Sequence, residues 1–563
     1  MSNLLDKASI ILTPTGYNTG EMLSVKPTPV IGSELYTKPG APSLIESNFT
    51  LVQTAWSFSG GVASIDGSQT SSSRIRGGLG GATLVAGRKY RVRIEANITS
   101  FKPELSGGGG FAAPPIQNVN GTADFFIRAT HNFTNISLIC TLSSVGSISS
   151  ISIKEVTSGD FDFTRATIAS RYNSNGLIEF VGNNTPRINY LGDTCGYWLL
   201  EPQRTNTATY SNDFTQGDIF GGSANPDLSD ALFATAASEN SPDGFPFGDL
   251  ARPLLKDDND GSTGQTGLNY YATNVVSNNF NTISIFVKKS LSNNFIYIQT
   301  AGFDTAANGR SWFNIQNGTL GTVQSQHTAK IEDYGNGWFR CSTTFKTTTD
   351  LIGSVRFLLA TADNVTNITR NGTNGVLLWG LQAESGQGQG AFEFPTSYIR
   401  TFGATVTRNK DEANNSGDST LINSTEGVLY AQIAALENDL LERSISLASG
   451  NNTDRVTLQF RNQSNAINAF YRSSNVNIGE IFFSASDITQ FSKFAYRYKE
   501  NDFALFVDGV KVGSVTSGSF SSTLVALSFD RTNSNSVQFF GKVKSVAVFK
   551  EALTDAELTC LTS

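Results

Sequence analysis

Short apolar segments in which every second residue is polar recur along the whole chain, and they constrain the fold more than any other feature. Residues 90–96, Tyr-Arg-Val-Arg-Ile-Glu-Ala, are one example. Successive side chains of a β-strand point to opposite faces, so this alternation indicates a strand with one buried face. The pairs Asn317-Gly318 and Asp508-Gly509 lie between such segments and predict tight hairpins. Long helix-favouring segments are absent from the sequence, and we therefore expect an all-β fold.

The length of the chain argues against a single folded core. Single cores stop growing at about 250–300 residues, whereas this chain has 563. It contains 53 glycines and 39 phenylalanines, and only 16% of its residues are charged, which is typical of turn-rich β-structure. We predict tandem β-sandwich (jelly-roll) domains. We also predict one short C-terminal helix, because Thr554 and Glu557 have the spacing of a capping box.

Charge and cysteine content argue against several classes of protein. The net charge of −7 disfavours a nucleic-acid partner, because binding phosphates requires clustered Lys and Arg. No segment approaches the roughly 18–20 apolar residues that span a bilayer, and the first residues lack the apolar core of a signal peptide. We expect no membrane insertion. The four scattered cysteines form no Cys-x-x-Cys pair, and we interpret them as buried thiols.

Composition and turn signals divide the chain into six segments. We predict an extended N-terminal arm (1–43), a first β-sandwich (44–156), a connector (157–206), a second, larger β-sandwich (207–400), a polar linker (401–424) and a third β-sandwich (425–563). Five prolines in the arm argue against a continuous sheet there. Pairing of this terminus with its own chain is the alternative. The run that begins Lys410-Asp-Glu-Ala-Asn-Asn gives the linker its polar composition.

The connector carries the most distinctive motif. Four pieces follow in order: 160–167 (Asp-Phe-Asp-Phe-Thr-Arg-Ala-Thr), 175–179 (Asn-Gly-Leu-Ile-Glu), 185–190 (Thr-Pro-Arg-Ile-Asn-Tyr) and 198–206 (Trp-Leu-Leu-Glu-Pro-Gln-Arg-Thr-Asn). This arrangement resembles the connector of bacteriophage virion appendage proteins, which include tail-fibre-like and head-fibre-like chains. We expect Arg204 to be structural, because a guanidinium has five donors that can satisfy buried loop carbonyls.

The sandwiches carry two further resemblances. Residues 335–342 (Gly-Asn-Gly-Trp-Phe-Arg-Cys-Ser) and 377–384 (Leu-Leu-Trp-Gly-Leu-Gln-Ala-Glu) are similar to carbohydrate-binding-module-like jelly rolls of phage fibre proteins. The first sandwich ends on a comparable strand, which suggests the same plan. Residues 504–512 and 542–558 of the third sandwich resemble a laminin-G/concanavalin-like domain.

The sequence offers little material for catalysis. His131 and His327 are the only imidazoles, so His-based triads and His-rich metal sites are disfavoured, and we predict that both are structural or at the surface. The glycine-rich runs lack the flanking pattern of a phosphate-binding loop. A carboxylate pair for glycoside hydrolysis stays open among the 48 acidic residues. We predict no catalytic residues and no enzyme, and a glycan-degrading enzyme is the second alternative.

An acidic loop, Lys256-Asp-Asp-Asn-Asp-Gly261, raises the question of calcium. With the loop aligned on its glycine, Lys256 would be the first ligand of an EF-hand, and the twelfth position, Gly267, is not Glu. That motif is therefore excluded. A looser calcium site of the kind found in β-sandwich lectins stays open beside a solvated loop. We predict no cofactor and no metal ligands, with calcium as the alternative.

Aromatic side chains are the candidates for ligand binding. Sugar sites use flat apolar rings beside amide and carboxylate hydrogen-bonding groups. The predicted ligand-binding residues, which lie near polar turns, are Trp56, Tyr270, Tyr271 and Trp312. A core or inter-subunit position is the alternative for each of them.

The resemblance implies a structural and adhesive phage virion protein. Its N-terminal arm would dock to other virion proteins, and its sandwiches would attach to host-surface glycans. A tail fibre or receptor-binding protein is the predicted function, and a head fibre or capsid decoration protein is the alternative. The resemblance also implies a homotrimer, located in the virion after assembly in the host cytoplasm. Repetition of weak sites fits this function, because avidity can exceed a single affinity by about 10²–10⁴.

Overall fold

The computed structural model describes residues 4–37, 49–79, 83–85, 88–106, 117–129, 132–214, 228–229, 231–236, 238–245, 253–272, 275–349, 352–385, 393–532 and 537–563. Antiparallel strands dominate these ranges, and the described part contains one α-helix, near the C-terminus. The predicted all-β class with tandem sandwiches and a short C-terminal helix is confirmed. Across the described ranges, no helix combines the length and apolar character needed to cross a bilayer.

The first sandwich and the segment before it supply eleven strands. After a 3-10 helix (Leu4–Lys7), they are β1 (Ala8–Asn18), β2 (Glu21–Lys26), β3 (Val30–Thr37), β4 (Leu51–Val52), β5 (Trp56–Ser59), β6 (Val62–Asp66), β7 (Ser73–Gly78), β8 (Lys89–Ser106), β9 (Gln117–Arg128), β10 (Asn135–Cys140) and β11 (Val145–Thr157). Strands β3 to β11 form one nine-stranded sheet. Strand β8 pairs with β11 up to Ile98 and with β10 from Phe101, and its pairing with β9 shifts register between these two residues. A positive φ at Ser100 lies between these two parts, so the sheet bends over its own core.

The connector and the second sandwich follow. The connector holds β12 (Phe161–Thr164), β13 (Ala169–Tyr172), β14 (Ile178–Val181), β15 (Ile188–Asn189), β16 (Tyr197–Leu200) and β17 (Arg204–Asn206). The sandwich holds β18 (Leu228–Ser229), β19 (Ala231–Ala234), β20 (Leu254–Asp257), β21 (Thr263–Gly264), β22 (Gly267–Ala272), β23 (Phe280–Lys289), β24 (Phe295–Ala301), β25 (Arg310–Asn314), β26 (Thr319–Val323), β27 (Thr328–Asp333), β28 (Trp338–Lys346), β29 (Gly353–Ala360), β30 (Ile368–Thr369) and β31 (Gly375–Ser385). Two six-stranded sheets, β18-β22-β29-β24-β25-β26 and β19-β20-β31-β23-β28-β27, enclose its core.

The third sandwich completes the chain. Its strands and those just before it are β32 (Val406–Arg408), β33 (Glu412–Asn414), β34 (Glu426–Ala435), β35 (Arg443–Ala448), β36 (Arg455–Phe460), β37 (Ala466–Ser473), β38 (Val476–Ser484), β39 (Ser492–Lys499), β40 (Phe503–Val507), β41 (Val510–Val515), β42 (Ala526–Ser528) and β43 (Gly541–Phe549). Helix α1 (Asp555–Thr562) begins with the predicted capping box. The five-stranded sheet β38-β37-β36-β35-β42 packs against an eleven-stranded sheet. Nine strands of the larger sheet follow the order β33-β12-β2-β1-β43-β34-β39-β40-β41, and the other two are β16, which pairs with β43, and β15, which pairs with β16.

The N-terminal segment differs from the predicted extended arm, because β1 and β2 lie inside the sheet of the third sandwich. Strand β1 pairs with the last strand of the chain, β43, with Leu12 opposite Val546, and β2 then lies between β1 and β12. Ile10, Leu12 and Met22 are fully buried in the core of this sandwich. An unpaired edge of β43 would leave backbone donors and acceptors exposed, and β1 covers it. The terminus thus pairs with its own chain, and neither β1 nor β2 offers a free edge for docking.

The segment predicted as a polar linker also belongs to the fold. Strand β32 pairs with β17 of the connector, and β33 pairs with β12. Arg408 and Asp411 are buried although they are charged, and Ser416 pairs with Leu527 of the third sandwich. The polar composition of residues 401–424 therefore reflects buried hydrogen bonding and ion pairing rather than a solvated linker.

We predict that Leu12→Ala loosens the seam between β1 and β43. Truncating a fully buried leucine removes about 2–5 kcal/mol of stability, and the loss should appear locally as faster amide hydrogen exchange in residues 543–549. Val25→Ala in β2 is the matched control, because Val25 is 47% exposed. Equal exchange in β43 for both variants would contradict the structural role of this terminus.

Candidate functional site

Five buried charged residues join the connector to the segment after the second sandwich. Arg187 binds two carboxylates: its Nη1 lies 2.7 Å from Glu201 Oε2, and its Nη2 pairs with Asp411. Arg165 Nη1 lies 3.0 Å from Asp411 Oδ1. Arg408 Nη1 reaches Glu201 Oε2 at 2.7 Å. None of these side chains is more than 4% exposed, so the cluster is an internal ion network.

The arginines of this network also satisfy buried backbone carbonyls. Arg165 Nη2 donates to the carbonyl oxygen of Gly182 at 2.8 Å, and Arg408 Nη2 donates to that of Pro202 at 2.7 Å. Burial by itself would raise the pKa of Glu201, but Arg408 and Arg187 outweigh this effect and lower the pKa to about 2. Glu201 is therefore ionised at neutral pH. Arg204, for which the sequence predicts a structural role, is buried as well and donates to the Gln203 carbonyl at 2.8 Å.

A cleft of about 360 Å³ lies next to this network, where the connector meets the second and third sandwiches. Its volume falls in the range of ligand pockets, about 300–1,000 Å³. The residues that define its walls are Tyr172, Asn189, Tyr197, Lys330, Glu332, Tyr334, Phe394, Ser397, Leu436 and Lys542. Ser397 connects the cleft to the network, because its Oγ donates to Glu201 Oε2 at 2.6 Å.

Tyrosines form one side of the cleft. The rings of Tyr172 and Tyr334 meet edge to face with their centroids 5.5 Å apart, and Tyr172 Oη donates to the Tyr334 carbonyl at 3.0 Å. Asn189 Nδ2 donates to Tyr197 Oη at 2.6 Å. Burial raises the pKa of Tyr197 and of Tyr334. Both phenols are therefore neutral and present rings and hydroxyl groups rather than charge.

Charged side chains line the cleft beside the tyrosines. Lys330 Nζ lies 2.7 Å from Glu332 Oε1 and 5.8 Å from the centroid of the Phe394 ring. Burial would raise the pKa of Glu332, but Lys330 and the other cations of the cleft lower it overall. Lys542 Nζ lies 5.9 Å from the centroid of the Tyr197 ring. Burial lowers the pKa of Lys542 and repulsion from Lys330 adds to this effect, while attraction to Glu332 and Asp487 offsets part of it.

A carboxylate contact closes the edge of the cleft between the second and third sandwiches. The backbone N–H of Glu393 donates to Glu437 Oε2 at 2.8 Å. These two residues are the chain neighbours of Phe394 and Leu436, which line the cleft. Burial raises the pKa of Glu437 to about 7, and the nearby Glu393 carboxylate acts in the same direction.

The predicted ligand-binding aromatics lie elsewhere. Tyr270 is 5% exposed in the core of the second sandwich, where burial raises its pKa to about 12. Trp312 is 1% exposed; it stacks on Tyr297 with centroids 5.2 Å apart, and its Nε1 donates to the Val365 carbonyl at 3.0 Å. In this structure neither ring is available to a ligand, which matches the core alternative. Trp56 is half-buried beside the first core, and the side chain of Tyr271 lies outside the described residues.

The acidic loop at residues 256–261 already has a cationic partner from its own chain. Arg370 Nε lies 3.1 Å from Asp258 Oδ1, and its Nη2 lies 2.5 Å from Asp260 Oδ2. The buried Asp257 accepts hydrogen bonds from the Gly372 N–H at 2.6 Å and from Asn374 Nδ2 at 2.8 Å. Among the described residues, no group of three or more His, Cys, Asp or Glu side chains could hold a metal ion.

The remaining candidates are structural or lie at the surface. His327 is buried between Thr300 Oγ1 at 2.7 Å and Ser311 Oγ at 2.9 Å, and burial lowers its pKa to about 4. His131 lies outside the described residues. All four cysteines are free thiols. The prediction that they are buried is right for Cys140 and Cys341 and wrong for Cys195 and Cys560, which are exposed.

Comparisons with known proteins identify no family. No family model and no curated sequence matches this chain. Domain 4 of AbnA, a GH43 extracellular arabinanase from Geobacillus stearothermophilus in complex with arabinotriose, is 14% identical and covers 27% of this chain and 73% of its own, with a TM-score of 0.23. The mouse laminin α1 LG4-5 domains are 11% identical to this chain. The alignment covers 52% of this chain and 92% of the laminin domains, with a TM-score of 0.18.

The N-terminal CBM22-1–CBM22-2 tandem domain of Paenibacillus barcinonensis Xyn10C is a third similar structure. It is 12% identical and covers 63% of this chain and 98% of its own, with a TM-score of 0.18. TM-scores this low support no argument about function. The β-sandwich assignment rests on the strand pairing of this chain itself.

We predict that Glu201→Gln destabilises the chain by about 3–5 kcal/mol at neutral pH, because it leaves buried guanidinium groups without their counter-ion. The folded-state pKa of Glu201, about 2, lies below its ordinary value of 4.5. Its contribution is therefore complete above about pH 4.5 and disappears as the pH falls toward 2. Denaturant unfolding at several pH values measures this. Glu179→Gln is the control. The Glu179 side chain is 43% exposed, so its ion pair with Arg171 contributes at most about 1 kcal/mol to stability.

We predict the opposite pH dependence for Glu437→Gln. The folded-state pKa of Glu437, about 7, lies above its ordinary value of 4.5. Wild-type stability therefore falls as the pH rises from about 4.5 to 7, whereas glutamine keeps the acceptor for the Glu393 N–H without a charge. The variant should match the wild type near pH 4.5 and exceed it above pH 7 by about 1–3 kcal/mol in denaturant unfolding. Glu500→Gln, at an exposed position, should show no such difference.

Proposed function

We propose that this chain is a non-enzymatic adhesive protein that binds glycans in the cleft, and that it serves as a tail fibre or receptor-binding protein of a bacteriophage virion. Glycan binding is proposed from the residues that line the cleft. Neutral tyrosine rings and the Phe394 ring lie beside amide, hydroxyl and carboxylate groups in one cavity of about 360 Å³. This combination suits a sugar, which has apolar ring faces and many hydroxyl groups.

Individual polar groups of the cleft support this proposal. The Asn189 amide, the Ser397 hydroxyl and the Glu332 carboxylate all line the cavity. Each is fixed by a neighbour: Asn189 bonds to Tyr197 Oη, Ser397 to Glu201, and Glu332 to Lys330. Groups held in this way lose little conformational freedom when a ligand binds, which favours affinity from a small contact area.

The electrostatics of the cleft support binding without catalysis. Glycoside hydrolysis needs one carboxyl group whose pKa is raised, so that it stays protonated and acts as an acid. Three acidic residues line the cleft, Glu201, Glu332 and Asp333, and neighbouring cations lower the pKa of Glu201 and of Glu332. Both are therefore carboxylates at neutral pH. Glu437, whose pKa is raised, does not line this cavity.

The virion part of the proposal rests on the resemblance of the connector to phage appendage proteins. Arg165, Arg187 and Glu201, which belong to that motif, hold the junction between the sandwiches together. A homotrimer is part of the same proposal. A shallow site of millimolar affinity is worth only about 4 kcal/mol, and several copies on one appendage would raise avidity by about 10²–10⁴.

We predict that Phe394→Ala weakens glycan binding by the full-length chain about tenfold, because the variant removes an aromatic face worth about 0.5–1.5 kcal/mol beyond its buried area. A glycan array that carries host-surface polysaccharides provides the measurement. Phe402→Ala is the matched control, because that ring is 69% exposed on the same segment and does not line the cleft. An equal loss in both variants would place the binding site elsewhere.

The other two parts of the proposal have their own tests. Incubation of the full-length chain with host polysaccharide should release no reducing ends, and release of oligosaccharide would establish an enzyme instead. Labelling of virions with an antibody against this chain, viewed by electron microscopy, should mark the tail. Label on the capsid would favour a head fibre or decoration protein.

A further inference from the structure

We propose that the ligand of the cleft is an acidic saccharide and that Lys542 binds its carboxylate. This inference rests on the glycan-binding function proposed above and adds the class of glycan to it. It arises from the ion pairing of the cleft, where one ammonium group has no carboxylate of the described residues within 4 Å.

Strand β43 presents two lysines on one side of the sheet. Lys542 Nζ lies 5.9 Å from the centroid of the Tyr197 ring and Lys544 Nζ lies 4.7 Å from that of the Phe491 ring, and these two rings are in contact. Lys544 Nζ lies 2.5 Å from Asp193 Oδ2. For Lys542, no carboxylate of the described residues lies within 4 Å of Nζ, although this side chain lines the cavity. The two lysines thus share a strand and a face and differ in whether they have a partner.

The other charges of the cleft leave Lys542 available to a ligand. Glu332 is paired with Lys330 at 2.7 Å. Asp333 Oδ1 accepts the backbone N–H of Gly335 at 2.7 Å. Arg340 directs its guanidinium into the wall, where Nη1 donates to the Thr396 carbonyl at 2.6 Å. The carboxylates at the cleft therefore have partners of their own. Lys542 Nζ lies over the Tyr197 ring, 5.9 Å from its centroid, and Glu332 and Asp487 attract its charge only from beyond 4 Å.

The state of Lys542 favours an anionic ligand. Withdrawing an ammonium group from water without a partner costs free energy, and the lowered pKa of this group reflects that cost. A carboxylate placed against it would form a charge-assisted hydrogen bond of about 2.7–2.9 Å. Such a bond is stronger in a half-buried cavity than in water, since the effective dielectric constant is lower there.

The same geometry favours one carboxylate over a multiply charged group. Glu332 and Asp333 line the same cavity and would repel a second negative charge. A uronate or sialate residue carries a single carboxylate on an otherwise polar, uncharged ring, whose faces can pack on Tyr197 or Phe394. The cavity of about 360 Å³ suits the end of a saccharide chain rather than a long stretch of it.

The test compares matched saccharides on the full-length chain by titration calorimetry: glucuronate against glucose, and sialyllactose against lactose. We expect the acidic member of at least one pair to bind about tenfold or more tightly, the size of one charge-assisted contact. Lys542→Met should abolish that preference, and Lys542→Arg should keep it. Lys544→Met is the control and should bind like the wild type.

The outcomes separate this inference from the function on which it rests. Equal affinities for the acidic and neutral members of both pairs, or an unchanged preference in Lys542→Met, would overturn the assignment of Lys542. If neutral glycans still bound on the array and lost affinity in Phe394→Ala, the adhesive function would stand without it. Absence of binding to any saccharide would overturn both.

Discussion

Arg187 holds two carboxylates from distant parts of the sequence, Glu201 of the connector and Asp411 of the segment after the second sandwich. A buried ion pair of this kind adds little net stability, because desolvation offsets much of the attraction, but breaking it is expensive. The planar fork of the guanidinium also restricts where its partners can lie. The network therefore acts mainly by fixing geometry. Ser397, bonded to Glu201, places one wall of the cleft relative to the other.

The second constraint is topological. The eleven-stranded sheet combines strands from residues 8–26, from the connector, from residues 412–414 and from residues 426–549. Lys7 forms an ion pair with Glu557, which lies 550 residues further along the chain. The third sandwich thus needs strands from outside residues 425–563 to complete its sheet, and it is not an independently folding domain in sequence terms. Strands so far apart in sequence lose chain entropy when they meet, before their contacts stabilise the sheet, and this makes folding slow.

The features that the sequence predicted are local ones. Asn317-Gly318, Asp508-Gly509 and the capping box at Thr554 each act within a few residues, and all three occur as expected. The alternation of apolar and polar residues predicted half-buried strands but did not show which face a second sheet would cover. Trp312, predicted to bind a ligand, is therefore found in the core. The cleft was missed because Lys330 and Lys542 come from separate sandwiches. Only the connector motif, which supplies Asn189 and Glu201, indicated this part of the fold.

Charge separates the structural part of this junction from the part that can bind. The carboxylates of Glu201 and Asp411 and the guanidinium groups around them satisfy one another and leave little capacity for a ligand. Lys542 lines the neighbouring cavity, and no carboxylate of the described residues lies within 4 Å of its Nζ. Burying a charge without a partner is unfavourable for folding. On the acidic-saccharide proposal, a carboxylate of the ligand would supply the partner that Lys542 lacks among the described residues.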